Sequence, residues 1–305
     1  MPNPTIGIST CWRSAGAASA EYLLSEIASL GLDAIELEYR VTASIFEGLR
    51  SIIRPNSFRV LSIHNFFPLP PGFPPEKASG DLLNLAGNDP EERQRAVNLT
   101  MSTMEAAHAL EVERIILHMG YIEGLTPLDR EWRSRFEQGD EAARDDLKKH
   151  WEERKAFAPR ALDRVKFSLE RLVKRAEKLG LVLGLENRDW PREIPSMAEM
   201  NDLLHTFEGA AIGFWYDVGH AAKQDLFGLA PAQEWIDRFG SRLVGAHIHD
   251  LKGVKDHLPP GKGDLDFSKI LQQVSGTEPW ILEIEPEFTV EEVREGIQCL
   301  LSYKE

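Results

Sequence analysis

Eight short apolar runs, each followed by a longer stretch of mixed character, order this chain from end to end. They are 5–10 (TIGIST), 34–39 (AIELEY), 58–64 (FRVLSIH), 114–118 (RIILH), 181–187 (LVLGLEN), 211–216 (AIGFWY), 243–250 (LVGAHIHD) and 280–285 (WILEIE). Runs this short, rich in β-branched and aromatic side chains, read as buried strands, and apolar residues at helical spacing between them read as helices. Helices are expected at 20–30 (stopped by Gly31), 43–53 (ended by Pro55), 90–110, 160–179 (closed by Gly180), 196–206, 232–239 and 290–301. Successive strand–helix units without an intervening linker predict an α/β chain, a single (β/α)8 TIM barrel over residues 1–305.

Two stretches stand outside the repeat. The Pro-rich segment 68–75 is expected to be irregular. The segment 119–159 is dense in charge and is expected to be an insertion after the fourth strand, holding a helix anchored by Trp132, Phe136, Trp151 and Phe157. Three roles are open to it: a solvated helix, a lid over the barrel mouth, or a contact in a homo-oligomer.

Composition narrows the class. Hydrophobic content of 42% and charged content of 28% belong to a globular protein. A formal net charge of −14 disfavours non-specific adhesion to nucleic acid. Cys11 and Cys299 have no metal-finger or CxxC spacing, which fits a reducing cytoplasm. The N-terminal MPNPTIGIS lacks the basic and apolar regions of a secretion signal, and no apolar run is long enough for a membrane span.

Function is written at the strand ends. The last six runs each end in a metal-ligand type of side chain: His64, His118, Glu186, Asp217, His247 and Glu283. Taken singly, each has an ordinary role as a core-edge histidine, a turn aspartate or an ion-pair partner. Together, at the rim where barrels place their chemistry, they point to a shared metal site. Glu186, Asp217 and Glu283 cannot all stay ionised within a few ångströms without a cation. With the imidazole of His247 they form a mixed oxygen and nitrogen set suited to Mn, Zn, Co or Mg. His64 and His118 are candidates for a second ion bridged by Glu186. His220, after the turn expected at Gly219, is a substrate or outer ligand. His257 lies on the stiff loop VKDHLPPGKGDLDF, whose Gly261-Lys262-Gly263 is only a weak phosphate signal.

The pieces SIH64, ILH118, LE186N, YD217VGH220, AH247IHD, H257LPPGKG and LE283I resemble, in order and placement, the barrels that group xylose-isomerase-like sugar isomerases and epimerases with type IV apurinic-site endonucleases. The epimerase branch implies one Mn-like ion on Glu186, Asp217, His247 and Glu283. The two glutamates would then exchange a proton at a carbon beside a carbonyl, and His220, His257, Arg188 and Glu36 would bind substrate. The endonuclease branch implies three zinc ions, the third on His220, His257 and an aspartate two residues before His257. Lys255 occupies that position, with Asp256 beside it. The expected function is a divalent-metal-dependent isomerase or epimerase of a sugar or sugar phosphate. The alternatives are a zinc phosphodiesterase acting on abasic DNA and a non-catalytic barrel binding a polyol or a partner.

Overall fold

A computed structural model describes residues 5–56, 58–128, 130–274, 276 and 279–303; residues 1–4, part of the segment examined for a secretion signal, lie outside it. Eight strands close into a parallel barrel: β1 (Ile6–Ser9), β2 (Ala34–Leu37), β3 (Arg59–His64), β4 (Arg114–Leu117), β5 (Val182–Glu186), β6 (Ile212–Asp217), β7 (Leu243–Ile248) and β10 (Trp280–Leu282). Two further strands, β8 (Asp250–Lys252) and β9 (Lys255–Leu258), form an antiparallel hairpin outside the barrel. Strand order follows the chain around the barrel, and β1 pairs with β10 to close it.

The barrel floor is filled from inside. Trp215, Ile116 and Ile281 form a buried layer with Leu61 and Val244 against it. Gly245 leaves the space that the Trp215 ring needs, since a Cβ there would lie 2.2 Å from the ring. With the lower barrel packed solid, the upper ends of the strands are left for polar groups.

The flanking helices are α1 (Ala20–Ser29), α2 (Ala43–Asn56), α3 (Pro90–Ala109), α4 (Arg130–Glu137), α5 (Glu141–Leu179), α6 (Met197–Thr206), α7 (Val218–Leu226), α8 (Ala232–Phe239), α9 (Phe267–Gln273) and α10 (Val290–Ser302). Their starts follow local chemistry. Asp89 caps α3 with Pro90 in the first turn, and Ser196 and Thr289 form capping boxes with Glu199 and Glu292. Among the described residues, no helix is long and apolar enough to cross a membrane.

Four expectations are corrected. The helix placed at 160–179 is the second half of α5, which runs 39 residues, about 58 Å, straight through Pro159. A buried stripe through Ala143, Leu147, His150, Arg154, Ala158 and Ala161 continues the helical period across the proline, so tertiary burial outweighs the lost backbone hydrogen bond. α2 likewise extends past Pro55. The turn expected at Gly219 is the first turn of α7, capped by the Asp217 side chain on His220 N at 2.7 Å. The segment 254–267, read as a loop, contains β9 and the start of α9.

Candidate active site

Parallel register brings the ligand-type residues together. Asp217 pairs with His247 across β6 and β7, Glu186 ends β5 one strand further round, and Glu283 follows β10 on the other side. The ligand atoms of Glu186, Asp217, His247 and Glu283 all lie within 4.8 Å of one another, and all four residues are buried. His247 Nδ1 is 3.1 Å from Glu283 Oε2, 3.4 Å from Glu186 Oε1 and 3.7 Å from Asp217 Oδ2.

Burial alone would push these carboxyls up. It is outweighed at Glu186 by His118, at Asp217 by His220 and His249, and at Glu283 by His247, and each is held well below the usual carboxylate range. Glu186 Oε2 is buried with no hydrogen-bond partner among the described residues. Three buried carboxylates converging with one imidazole form a mixed oxygen and nitrogen donor set that fits a divalent cation of the Mn, Zn, Co or Mg kind.

Other residues aim these four. Glu36, expected to bind substrate, is fully buried and does not line the pocket. Its Oε2 accepts from Ser62 Oγ at 2.8 Å and lies 3.2 Å from His247 Nε2, so it turns His247 Nδ1 toward the carboxylates. Asn187 Nδ2 donates to Asp217 O at 2.9 Å, and Asp217 N donates to Asn187 Oδ1 at 2.8 Å. His249, which sequence reading missed, accepts at Nδ1 from His257 N at 2.9 Å, leaving Nε2–H to donate to both Asp217 oxygens at 3.0 Å. Gly219 is the space for this contact: a Cβ would lie 2.1 Å from the His249 ring.

A side-chain cation borders one of the two other expected metal positions, and another stands in the second. His64, His118 and Glu186 have ligand spacing, with His118 Nε2 3.0 Å from Glu186 Oε2. The guanidinium of Arg188 reaches that same Nε2 at 2.5 Å, and Asp81 takes the ring's other nitrogen at 2.9 Å. Around the third position, Asp189, His220 and Asp256 converge, while His257 joins Asp217, His249 and Glu283 instead. Asp256 does turn inward despite its one-residue offset, but the buried ammonium of Lys223 lies 2.6 Å from Asp189 Oδ2 and also pairs with Asp256. This arrangement does not fit a third divalent ion. The Gly261-Lys262-Gly263 stretch is no phosphate cradle either, because Gly261 N and Gly263 N both donate to Asp250 Oδ2 at 2.8 Å.

Above the four-residue set opens a cavity of about 380 Å³, within the usual range for small-molecule sites. His64, His118, Glu186, Arg188, His220, His257 and Glu283 line it. Arg133 of α4, His150 of α5 and Arg192 of the loop after β5 also line it, and sequence reading missed all three because only the fold brings their segments to the mouth.

The model of the xylose isomerase-like TIM barrel family matches residues 24–303, and the chain belongs to that family. Over 197 residues it is 24% identical to an uncharacterized protein of Methanocaldococcus jannaschii, covering 63% of this chain and 56% of that one. The alignment thus spans little more than half of that relative's length. Among solved structures it is similar to a D-tagatose 3-epimerase-like protein, with a TM-score of 0.69 and 18% identity over 98% of this chain and 97% of that one. It is also similar to the 3-keto-D-glucoside 4-epimerase of E. coli, with a TM-score of 0.70 and 14% identity over 98% of this chain and 100% of that one. At these identities the likeness establishes the fold.

Proposed function

We propose that this protein is a divalent-metal-dependent sugar isomerase or epimerase that transfers a proton at a carbon next to a carbonyl. One observation carries the reading: Glu186 and Glu283, both held ionised, face the same cavity from different strands and share Asp217 and His247 between them. A carboxylate of this kind accepts a proton from a substrate carbon, and the second, once it has taken a proton from solvent, can return it to the other face of that carbon. A cation held by the four residues would supply charge stabilisation for the substrate oxygen that turns negative as the proton leaves. His220 and His257, whose rings line the cavity, are placed to orient the hydroxyls.

The epimerase names of two similar structures agree with this substrate class. The Lys223 ammonium at the third position argues against a trinuclear phosphodiesterase.

The test is proton exchange. The Mn-loaded protein is incubated in D2O with a panel of ketoses, and deuterium entering the carbon beside the carbonyl is followed by NMR. Exchange in at least one ketose, absent from Glu186→Gln and Glu283→Gln, is expected. No exchange in any ketose would overturn the assignment.

A further inference from the structure

The same cavity carries positive charge that the proton-transfer chemistry does not use. Arg188 is internally neutralised: it pairs with Asp81 at 3.3 Å, Glu193 at 3.1 Å and Glu186 at 3.9 Å. Arg133 and Arg192 differ. Both line the cavity, and neither has a carboxylate partner among the described residues, although the chain carries 49 acidic residues. Each guanidinium lies over an aromatic ring instead, Arg133 over Trp190 at 4.4 Å and Arg192 over Tyr121 at 4.4 Å. A guanidinium attracted to a ring face keeps its N–H donors for planar, two-point recognition of an acidic group.

The position is built rather than loose. Arg192 O accepts from Ile122 N at 2.7 Å. Arg154 of α5 donates to the carbonyls of Pro191 and Glu193 on either side and forms a buried pair with both Glu199 oxygens. Beside them His150 is only 7% exposed, lines the cavity and has no hydrogen-bond partner among the described residues. Burial and the nearby Arg192 charge, against Glu153, hold its ring below the ordinary histidine value, so it offers one neutral N–H.

We infer that Arg133, Arg192 and His150 form a subsite for an acidic group, carboxylate or phosphate, on the substrate. Arg133 is exposed and Arg192 half-buried, so water can solvate both, but an acidic group entering the cavity they line would accept charge-assisted hydrogen bonds that a neutral hydroxyl does not match. This rests on the isomerase or epimerase reading and specifies its substrate as a sugar phosphate or a sugar acid.

The test is calorimetric titration of the Mn-loaded protein with D-fructose, D-fructose 6-phosphate and 5-keto-D-gluconate as neutral, phosphorylated and carboxylated probes. One acidic probe is expected to bind about tenfold or more tightly than D-fructose. The Arg133→Gln/Arg192→Gln double variant should lose that preference while keeping the wild-type metal content and circular dichroism, and Arg192→Lys should retain part of it. The better acidic probe identifies the group. Equal binding of all three probes, or a preference unchanged in the double variant, overturns the inference. Inorganic phosphate and acetate, titrated in parallel, separate the two claims. Binding of either that depends on the two arginines, without binding or proton exchange of any sugar, sustains the subsite and overturns the sugar reading.

Discussion

Lys223 and Arg188 bring side-chain positive charge to the positions where the sequence suggests further metal ions. Lys223 is buried between Asp189 and Asp256, so removing its charge leaves two uncompensated carboxylates. Lys223→Met should lower unfolding stability by about 3–5 kcal/mol, read by urea denaturation. An unchanged midpoint would mean the pair is solvated. For chemistry, Glu186→Gln and Glu283→Gln should each reduce turnover about 10²- to 10⁴-fold, with Glu283→Gln retaining some metal. A third residue predicts a pH effect. Glu38 is fully buried, its Oε2 lacks a hydrogen-bond partner among the described residues, and burial, opposed by Arg40, raises its pKa to about 7. Because the folded value exceeds the unfolded one, its stabilising contribution is full below about pH 4.5 and is lost as pH rises through 7. Glu38→Gln should flatten that part of the stability profile; an identical slope would contradict it. At this scale the sequence revealed which residue types sit at strand ends, because ligand-type side chains there are unusual. It did not reveal Glu36 as a partner of His247, nor His249 on Asp217. Both roles depend on which way a buried side chain turns, and the residue spacing alone carries no such information.

Among the elements, α4 and the first half of α5 are the part least legible in the sequence. Pro159 looks like a boundary, and only the burial of residues on both sides of it makes one helix. Of the four expected aromatic anchors, Trp132 and Phe136 pack, joining Leu147, Phe227 and Val254 in a cluster separate from the main core, whereas Trp151 stays outside it and Phe157 is 45% exposed. That cluster ties α4 and α5 to α7 and the β8–β9 hairpin, and so fixes Arg133 and His150 at the cavity. Trp132→Ala should destabilise this unit by about 3–5 kcal/mol and raise amide exchange in 130–150 before the barrel strands. Uniform loosening of the barrel would show instead that the cluster is not a separate unit. The hairpin is not legible as strands because β8 and β9 are only three and four residues long, rich in Lys and Asp, and show no alternation of apolar residues.

For the whole molecule, the repeat of apolar runs predicted the closed barrel because each strand is buried on both faces and each helix on one. Closure then collects the rim residues without any long-range signal in the sequence. The same closure concentrates carboxylates at one end of an acidic chain, and a bound cation should relieve their repulsion. The most direct test is the metal content of the purified protein beside Asp217→Ala, by elemental analysis. About one divalent ion of the Mn, Co, Zn or Mg kind per chain, lost in the variant, is predicted. No ion under any loading condition, or an ion retained in full by Asp217→Ala, would contradict a metal centre built on Glu186, Asp217, His247 and Glu283.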